Sequence, residues 1–363
     1  MKKVLVYCPY YPPHMGGLES HADEFNKYLS KLDYKITVFT PRLPISGLEK
    51  ELKYNGVNII RFPAWEIIPN YPLPQFWNIK FWKLWNEVWK KKYDWVISRT
   101  RFFNTTLLAL CHAKIKKIKW MHIEHGSDFV KLNNNFFSII AQLYDYIFGY
   151  IVLRLANIVV ANSQASAEFC SKIYKNRKYE VIYRGVEVEK INKIKPKILF
   201  KNNFIILYAG RLIDGKGVGD LIKAVLKIKN NDWQLLIVGD GPKRKEWEKM
   251  SNSQIKFLGQ KTNDELIGIM KGCNLVVNPS YTEGLPTSMV EASICGIPVI
   301  ASDVGGTKEI VINGVNGYLV KPKNVDELSE KITLMMKSKF KVKKMINKFD
   351  WNISIKKYIK LLS

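Results

Sequence analysis

Cysteine is scarce and scattered in this 363-residue chain: Cys8, Cys111, Cys170, Cys273 and Cys295 show no Cys-x-x-Cys spacing. The pattern argues against a disulfide framework and against a thiolate metal cluster, and it fits a reducing cytoplasm. Segments depleted of apolar residues are missing too. With hydrophobic residues at 47% and charged residues at 25%, disordered and low-complexity classes drop out. Uninterrupted apolar runs are short. The opening Met1-Lys2-Lys3-Val4-Leu5-Val6-Tyr7-Cys8 begins like a secretory leader, but Pro9, Pro12 and Pro13 cut it off, so a first buried strand is expected. Phe136 to Val160 is mostly apolar, yet Gln142, Asp145, Gly149 and Arg154 interrupt it before the roughly 20 residues of a spanning helix. A buried core helix leading into a strand is expected there. Acidic residues are few, 32 against 57 lysines and arginines, and the net charge of +25 should attract anionic surfaces or polymers whatever the fold.

What is present is a repeated alternation of β-branched runs with amphipathic stretches, the sign of βαβ units and a parallel sheet. It occurs twice, as expected of a chain too long for one core. The first half opens with a strand at Lys3 to Tyr7, a loop at Pro9 to Gly17, a helix from Leu18 to Lys31 and a strand at Lys35 to Thr40. The second restarts with a strand at Phe204 to Ala209, a loop at Gly210 to Gly217, a helix to about Lys227 and a strand at Gln234 to Val238. Strands at Ile255 to Leu258, Asn274 to Asn278, Pro298 to Ser302 and Tyr318 to Val320 follow. The helices between them begin at a Thr262–Glu265 capping box, near Pro286 and at Gly306, the last stopping at Asn313-Gly314. Glu187 to Asn203, rich in Lys and Asn, reads as the linker.

Three loops carry residues suited to phosphate and hydroxyl groups. Pro12-Pro13-His14-Met15-Gly16-Gly17-Leu18-Glu19 joins a strand to a helix, so Gly16 and Gly17 can bring backbone N–H groups and a helix's positive end to a phosphate. It is not G-x-G-x-x-G, and a tight strand-to-helix turn explains it equally well. Arg211 and Lys216 sit on the loop past a strand's carboxyl end, where open α/β sheets bind ligands; a guanidinium and an ammonium there suit a diphosphate, or are simply solvated. Glu283 precedes a helix that contains Glu291, around Gly284-Leu285-Pro286. Both carboxylates can then face ribose and sugar hydroxyls, or serve as a cap and a surface charge.

Together, Gly210-Arg211-x-x-x-x-Lys216-Gly217 and Pro279-Ser280-x-x-Glu283-Gly284-x-Pro286 with Glu291 resemble the large retaining glycosyltransferase family 4. The likeness is densest from Ala161 to Val320, including Ile237-Val238-Gly239-Asp240-Gly241-Pro242 and Phe257-Leu258-Gly259; the first half matches through Gly16-Gly17 and His125-Gly126. The resemblance implies an α/β GT-B fold: two Rossmann-like lobes facing across a cleft, with a C-terminal helix crossing back to the first. Residues 1–186 would form the acceptor lobe, 187–345 the nucleotide-sugar lobe and 346–363 the helix. It implies a nucleotide-sugar donor, a UDP- or GDP-sugar, held by Gly16, Gly17, Arg211, Lys216, Leu258, Leu285 and Glu291. Glu283 would meet the sugar hydroxyls and His125 would stand at the reacting centre, with His122 its rival. Retention, no metal and no cofactor are implied too, the leaving phosphate helping to deprotonate the acceptor. Tyr183-Arg184-Gly185-Val186-Glu187 departs from the family's usual Pro-Asn-Gly-Val-Asp.

From Ala64 to Trp95 the chain is dense in Trp, Phe and Lys, a composition that suits an anionic membrane interface as well as a core or an acceptor groove. The expectation is a cytoplasmic enzyme, docked on the inner face of the cell membrane, that adds sugar to a glycan or lipid-linked acceptor in polysaccharide or glycolipid synthesis. A nucleic-acid-binding or nucleic-acid-modifying protein is the alternative the charge allows, without a recognisable module to carry it. A GT-B nucleotide-sugar epimerase or hydrolase is the other.

Overall fold

Runs such as Val4-Leu5-Val6-Tyr7 and Ile206-Leu207-Tyr208, apolar at every position, are what a parallel strand covered on both faces requires. All seven residues are buried in the computed structural model. Residues 1–363 are described apart from 15, 44–47, 54–55, 69–70, 130–134, 201–202, 230–231, 339, 341 and 343–347. Met15 of the first glycine loop and the 201–202 end of the expected linker therefore lie outside the described residues. The chain divides into two units, Met1–Ile182 with Ile355–Ser363, and Tyr183–Ser354.

In the first unit the elements run β1 (Lys3–Tyr7), α1 (Gly17–Ser30), β2 (Lys35–Pro41), β3 (Lys50–Lys53), β4 (Val57–Phe62), β5 (Ala64–Ile68), β6 (Tyr71–Pro74) and α2 (Ile79–Lys90). They continue with β7 (Trp95–Arg99), α3 (Asn104–Ile115), β8 (Lys119–Glu124), α4 (Asn135–Leu155), β9 (Ile158–Ala161), α5 (Gln164–Ile173) and β10 (Glu180–Val181). Eight strands form one sheet in the order β10-β9-β8-β7-β1-β2-β4-β3, parallel except for β3 against β4. The order reverses at β1 and β7. Tyr7, Phe39, Phe62, Phe81, Trp120 and Phe169 lie in the core on one side of it.

The helix at 135–155 corrects the expectation of a buried core helix. Asp145, which seemed to interrupt the apolar run, is fully buried, and Oδ2 accepts a 2.7 Å bond from Arg101. Gly149 is buried against the Arg101 side chain. Those two residues define the inner face. Phe136, Phe137, Ile139, Ile140, Leu143, Tyr146 and Ile147 are exposed on the outer one, Phe136 to 67%. A mostly apolar sequence does not say which face turns inward; a buried ion pair does.

The second unit holds α6 (Val188–Lys193), β11 (Phe204–Ala209), α7 (Val218–Leu226), β12 (Trp233–Val238), α8 (Arg244–Lys249), β13 (Ile255–Gly259) and α9 (Asn263–Lys271). After these come β14 (Leu275–Asn278), α10 (Thr287–Cys295), β15 (Val299–Ser302), β16 (Gly317–Val320) and α11 (Val325–Lys337); α12 (Trp351–Leu362) ends the chain. Six parallel strands in the order β13-β12-β11-β14-β15-β16 form its sheet, so the winding reverses between β11 and β14. The capping box at Thr262 and Glu265 is formed as its sequence demands. The helix expected from Gly306 to Asn313 is only a 3₁₀ turn over Gly305–Glu309. There Thr307 Oγ1 donates to the Ser302 and Val304 carbonyls, which competes with a longer α-helix. Part of the stretch expected to link the halves is helical, as α6. The end of α12 packs within the first unit: Tyr358 sits edge-on to Phe25, and Trp95 Nε1 donates to the Leu362 carbonyl at 3.0 Å.

Candidate active site

A doubly wound sheet binds ligands where the winding reverses, because the loops leaving two adjacent strands diverge there and open a crevice. In the second unit those loops follow β11 and β14, and they carry Arg211, Lys216 and Glu283. Lys216 Nζ donates to Glu283 Oε1 at 2.6 Å, and Asn278 Nδ2 reaches the same oxygen at 3.3 Å. Burial pushes the Glu283 carboxyl up; the Lys216 ammonium, with bonds from Lys216, Ser280 and Asn278, outweighs it and holds the group below the usual carboxylate range. The site therefore holds a fixed carboxylate beside a fixed ammonium, one suited to hydroxyls and the other to phosphate oxygens.

Backbone geometry sets the pair. Gly217 has φ 64°, and a Cβ there would collide with the Pro279 carbonyl oxygen, so only glycine lets the two loops approach. Tyr281 N donates to the Gly215 carbonyl at 2.9 Å, and the Tyr281 hydroxyl to Asp220 Oδ2 at 2.8 Å. Gly239, at φ 133°, packs against the Gly210 carbonyl and keeps the β12 loop equally close. Arg211 is on the exposed side of its loop, and its carbonyl accepts from the buried Tyr208 hydroxyl at 3.0 Å.

Glu291 lies in the second turn of α10 and is 7% exposed; Leu285, just before the helix, is buried in the core cluster beneath. Leu258 packs on the same cluster at the end of β13, where the Gly259 carbonyl accepts from Gly239 N at 2.9 Å. Pro286 stands at the N-cap of α10, near where the helix was expected to begin.

In the first unit, Gly16 and Gly17 begin α1. Glu19 fills the space beside Gly16 and bonds His14 Nδ1 at 2.6 Å, a carboxylate at the helix's positive end. The turn after β8 is held from below by Glu124. Its Oε1 accepts from His125 N at 2.9 Å and Gly126 N at 2.8 Å, while Arg101 Nη1 lies 3.2 Å from Oε2. Burial alone would raise the Glu124 carboxyl; Arg101, then His122 and the backbone bonds, hold it far below its ordinary range. His122 is fully buried between Ser98 and Glu124, and burial lowers its pKa. His125 sits on the turn itself, with Nε2 3.3 Å from Arg99 Nη1. Among the described residues no three His, Cys, Asp or Glu side chains converge as metal ligands would.

Several residues of these networks were not singled out as functional in the sequence: Asn278, Tyr208, Glu124, Arg99 and Arg101, while Asp145 was read only as an interruption of an apolar run. Only Glu124 carried a local signal, as an acid between two histidines at the end of a strand. Asn278 and Tyr208 lie within five positions of Glu283 and Arg211, at the ends of the strands that carry those loops, whereas Arg99 meets His125, and Arg101 meets Glu124 and Asp145, from 23 to 44 positions away.

Comparison with known proteins accounts for this arrangement. The profile of "Glycosyl transferases group 1" matches residues 190–349, and that of "Glycosyltransferase Family 4" residues 15–190. An uncharacterised glycosyltransferase of Methanocaldococcus jannaschii is 37% identical over 99% of this chain and 97% of its own. The N,N'-diacetylbacillosaminyl-diphospho-undecaprenol alpha-1,3-N-acetylgalactosaminyltransferase of Campylobacter jejuni is 28% identical over 57% of this chain and 60% of its own. Among solved structures, Anabaena HepE in complex with UDP and glucose superposes with a TM-score of 0.76 at 20% identity, covering 100% of this chain and 99% of that one. The chain belongs to glycosyltransferase family 4 and has the GT-B fold.

Proposed function

We propose that this glycosyltransferase takes its sugar from a UDP- or GDP-sugar bound at the winding reversal of the second unit, and transfers it with retention and without a metal. The observation that carries this reading is the Lys216–Glu283 pair, 2.6 Å apart on the two loops that leave β11 and β14. Lys216 and Arg211 take the diphosphate, Glu283 the sugar hydroxyls and Glu291 the ribose. Leu258 and Leu285 line the base and sugar, and Gly16 and Gly17 offer backbone N–H groups to phosphate. With two cations against the diphosphate, no divalent ion is needed to carry the leaving charge. The leaving phosphate takes the acceptor's proton on the face it departs from. HepE, of the same fold, was crystallised with UDP and glucose, which supports a nucleotide donor.

The acceptor is a lipid-linked glycan, and the first unit brings the enzyme to the inner face of the membrane. The Campylobacter relative is named for an undecaprenol diphosphate acceptor. The exposed face of α4, with Trp65, Trp77, Ile79 and Trp82 exposed near α2, gives the apolar contact. Lys83, Lys90 and Lys92, also exposed, give the attraction to anionic headgroups. Tyr71 of β6 bonds Tyr144 of α4 at 3.2 Å and Trp65 packs on Trp77, so the two patches are joined through the β5–β6 hairpin.

A melting-temperature panel with UDP, GDP, ADP and their glucose and mannose forms tests the donor. A ligand that binds only the folded chain at 100 times its Kd adds about 2.7 kcal/mol of stability. A rise with one nucleotide family is expected; no rise with any of them refutes the reading. Flotation on vesicles with and without anionic lipid tests the membrane contact, and no lipid-dependent binding at moderate salt overturns it.

A further inference from the structure

Arg99, the last residue of β7, is 0% exposed and has no carboxylate partner among the described residues. Its charge rests instead on neutral groups. The guanidinium lies over the Phe25 ring at 5.1 Å and near the Cys8 thiol, which burial pushes up to about 12 and so keeps protonated. Nη1 lies 2.7 Å from His21 Nδ1 and 3.3 Å from His125 Nε2, and the two imidazoles meet edge to face with centroids 4.9 Å apart. A guanidinium has five N–H donors and no lone pair with which to accept. Each ring nitrogen facing it must therefore be the unprotonated one.

We infer that Arg99 is a positioning residue that holds His125 as the neutral imidazole carrying its proton on Nδ1, and His21 as the neutral imidazole carrying its proton on Nε2. The inference rests on the reading of His125 as the active-site histidine only for its consequence, not for the tautomer itself. The other titratable groups around the cluster are Glu19 and Asp23 of α1, Tyr358 of α12 and Glu124 of β8. Glu124 faces the His125 backbone N–H, and so it anchors the turn without supplying the ring with a proton. The consequence is chemical. Next to an anomeric centre gaining positive charge, an imidazolium would repel the transition state, whereas a neutral imidazole offers a fixed dipole. His125 then neither gives nor takes a proton, which suits a reaction in which the leaving phosphate does that work.

Long-range ¹⁵N–¹H correlation spectra of the five imidazoles in the ligand-free protein, assigned with His125→Asn, read the tautomer directly. The expected spectrum shows His125 protonated on Nδ1. In Arg99→Met the ring should move to the Nε2–H form that a histidine side chain free in solution prefers. Nucleotide release from the bound nucleotide-sugar should fall roughly 10- to 100-fold. That activity should also drop as the pH enters the range where free histidine protonates, while the parent stays level. His125 found in the Nε2–H or imidazolium form in the parent protein overturns the inference, even if every Arg99 variant misfolds. If the Nδ1–H form is found and His125→Asn turns over normally, the tautomer stands and the active-site reading of His125 is what fails.

Discussion

Replacing Lys216 by Ala separates a donor site from a structural ion pair. The change leaves the Glu283 carboxylate, 11% exposed, with Asn278 and Ser280 as its remaining polar partners. Breaking a fully buried pair costs about 3–5 kcal/mol. Lys216 is 24% exposed, so solvent reaches the site and about 1–3 kcal/mol is expected here. For a unit of this size that lowers Tm by roughly 2–4 °C per kcal/mol. The effect on a diphosphate is separate. A charge-assisted hydrogen bond contributes about 1.5–3 kcal/mol, so the Kd for the nucleotide-sugar should rise about 10- to 150-fold. Isothermal titration with UDP- and GDP-sugars measures the second effect and calorimetric melting the first. A Lys216→Ala protein that melts earlier yet binds its donor with unchanged affinity would show that the pair only holds two loops together, and the assignment of Lys216 to the diphosphate would be wrong.

Further outcomes follow from the same geometry. Gly217→Ala forces a side chain into left-handed backbone against the Pro279 carbonyl; a loss of at least about 2 kcal/mol by chemical denaturation is expected, with weaker donor binding, and a neutral result would mean the loops are not held so close. Glu124→Gln leaves Arg101 with Asp145 as its one carboxylate partner among the described residues and should cost about 2–4 kcal/mol. Because the folded Glu124 carboxyl titrates below its ordinary value of about 4.5, its contribution is complete above that pH and is lost as the pH falls. The parent should therefore show a steeper acid unfolding curve than the glutamine variant; equal slopes would contradict the buried ion pair. Leu143→Ser with Ile147→Ser, on the exposed face of α4, should change stability by no more than about 0.5 kcal/mol each while reducing flotation with anionic vesicles. Unchanged flotation would move the membrane contact away from α4.

Much of the fold was legible because the periodicities and punctuation were strong. Lys3–Tyr7 and Phe204–Ala209 match their strands residue for residue, since four and six consecutive apolar residues bounded by loop signals leave little room for another register. The Thr262 capping box is a local interaction and needs nothing beyond four residues. The misreadings came where a distant partner decides. Asp145 looked like an interruption of α4 because Arg101, 44 positions away, is invisible to periodicity; once paired, it turns the helix over. Thr307 ends a helix early through bonds to Ser302 and Val304. In the site, the Lys216 and Glu283 loops could be named from motif spacing, whereas the Arg99–His21–His125 cluster required the sheet to bring the ends of β7 and β8 against α1. Spacing finds residues that share a loop; it does not find buried charges that meet across a sheet.

Binding of a nucleotide-sugar at the winding reversal of the second sheet is open to direct measurement. Hydrogen–deuterium exchange with and without the nucleotide-sugar that raises the melting temperature tests it most directly. Slowed exchange is expected in 210–217 and 279–291, the loops after β11 and β14 and the first turns of α10. Binding that leaves both stretches unchanged, or that protects only residues outside them, would contradict it.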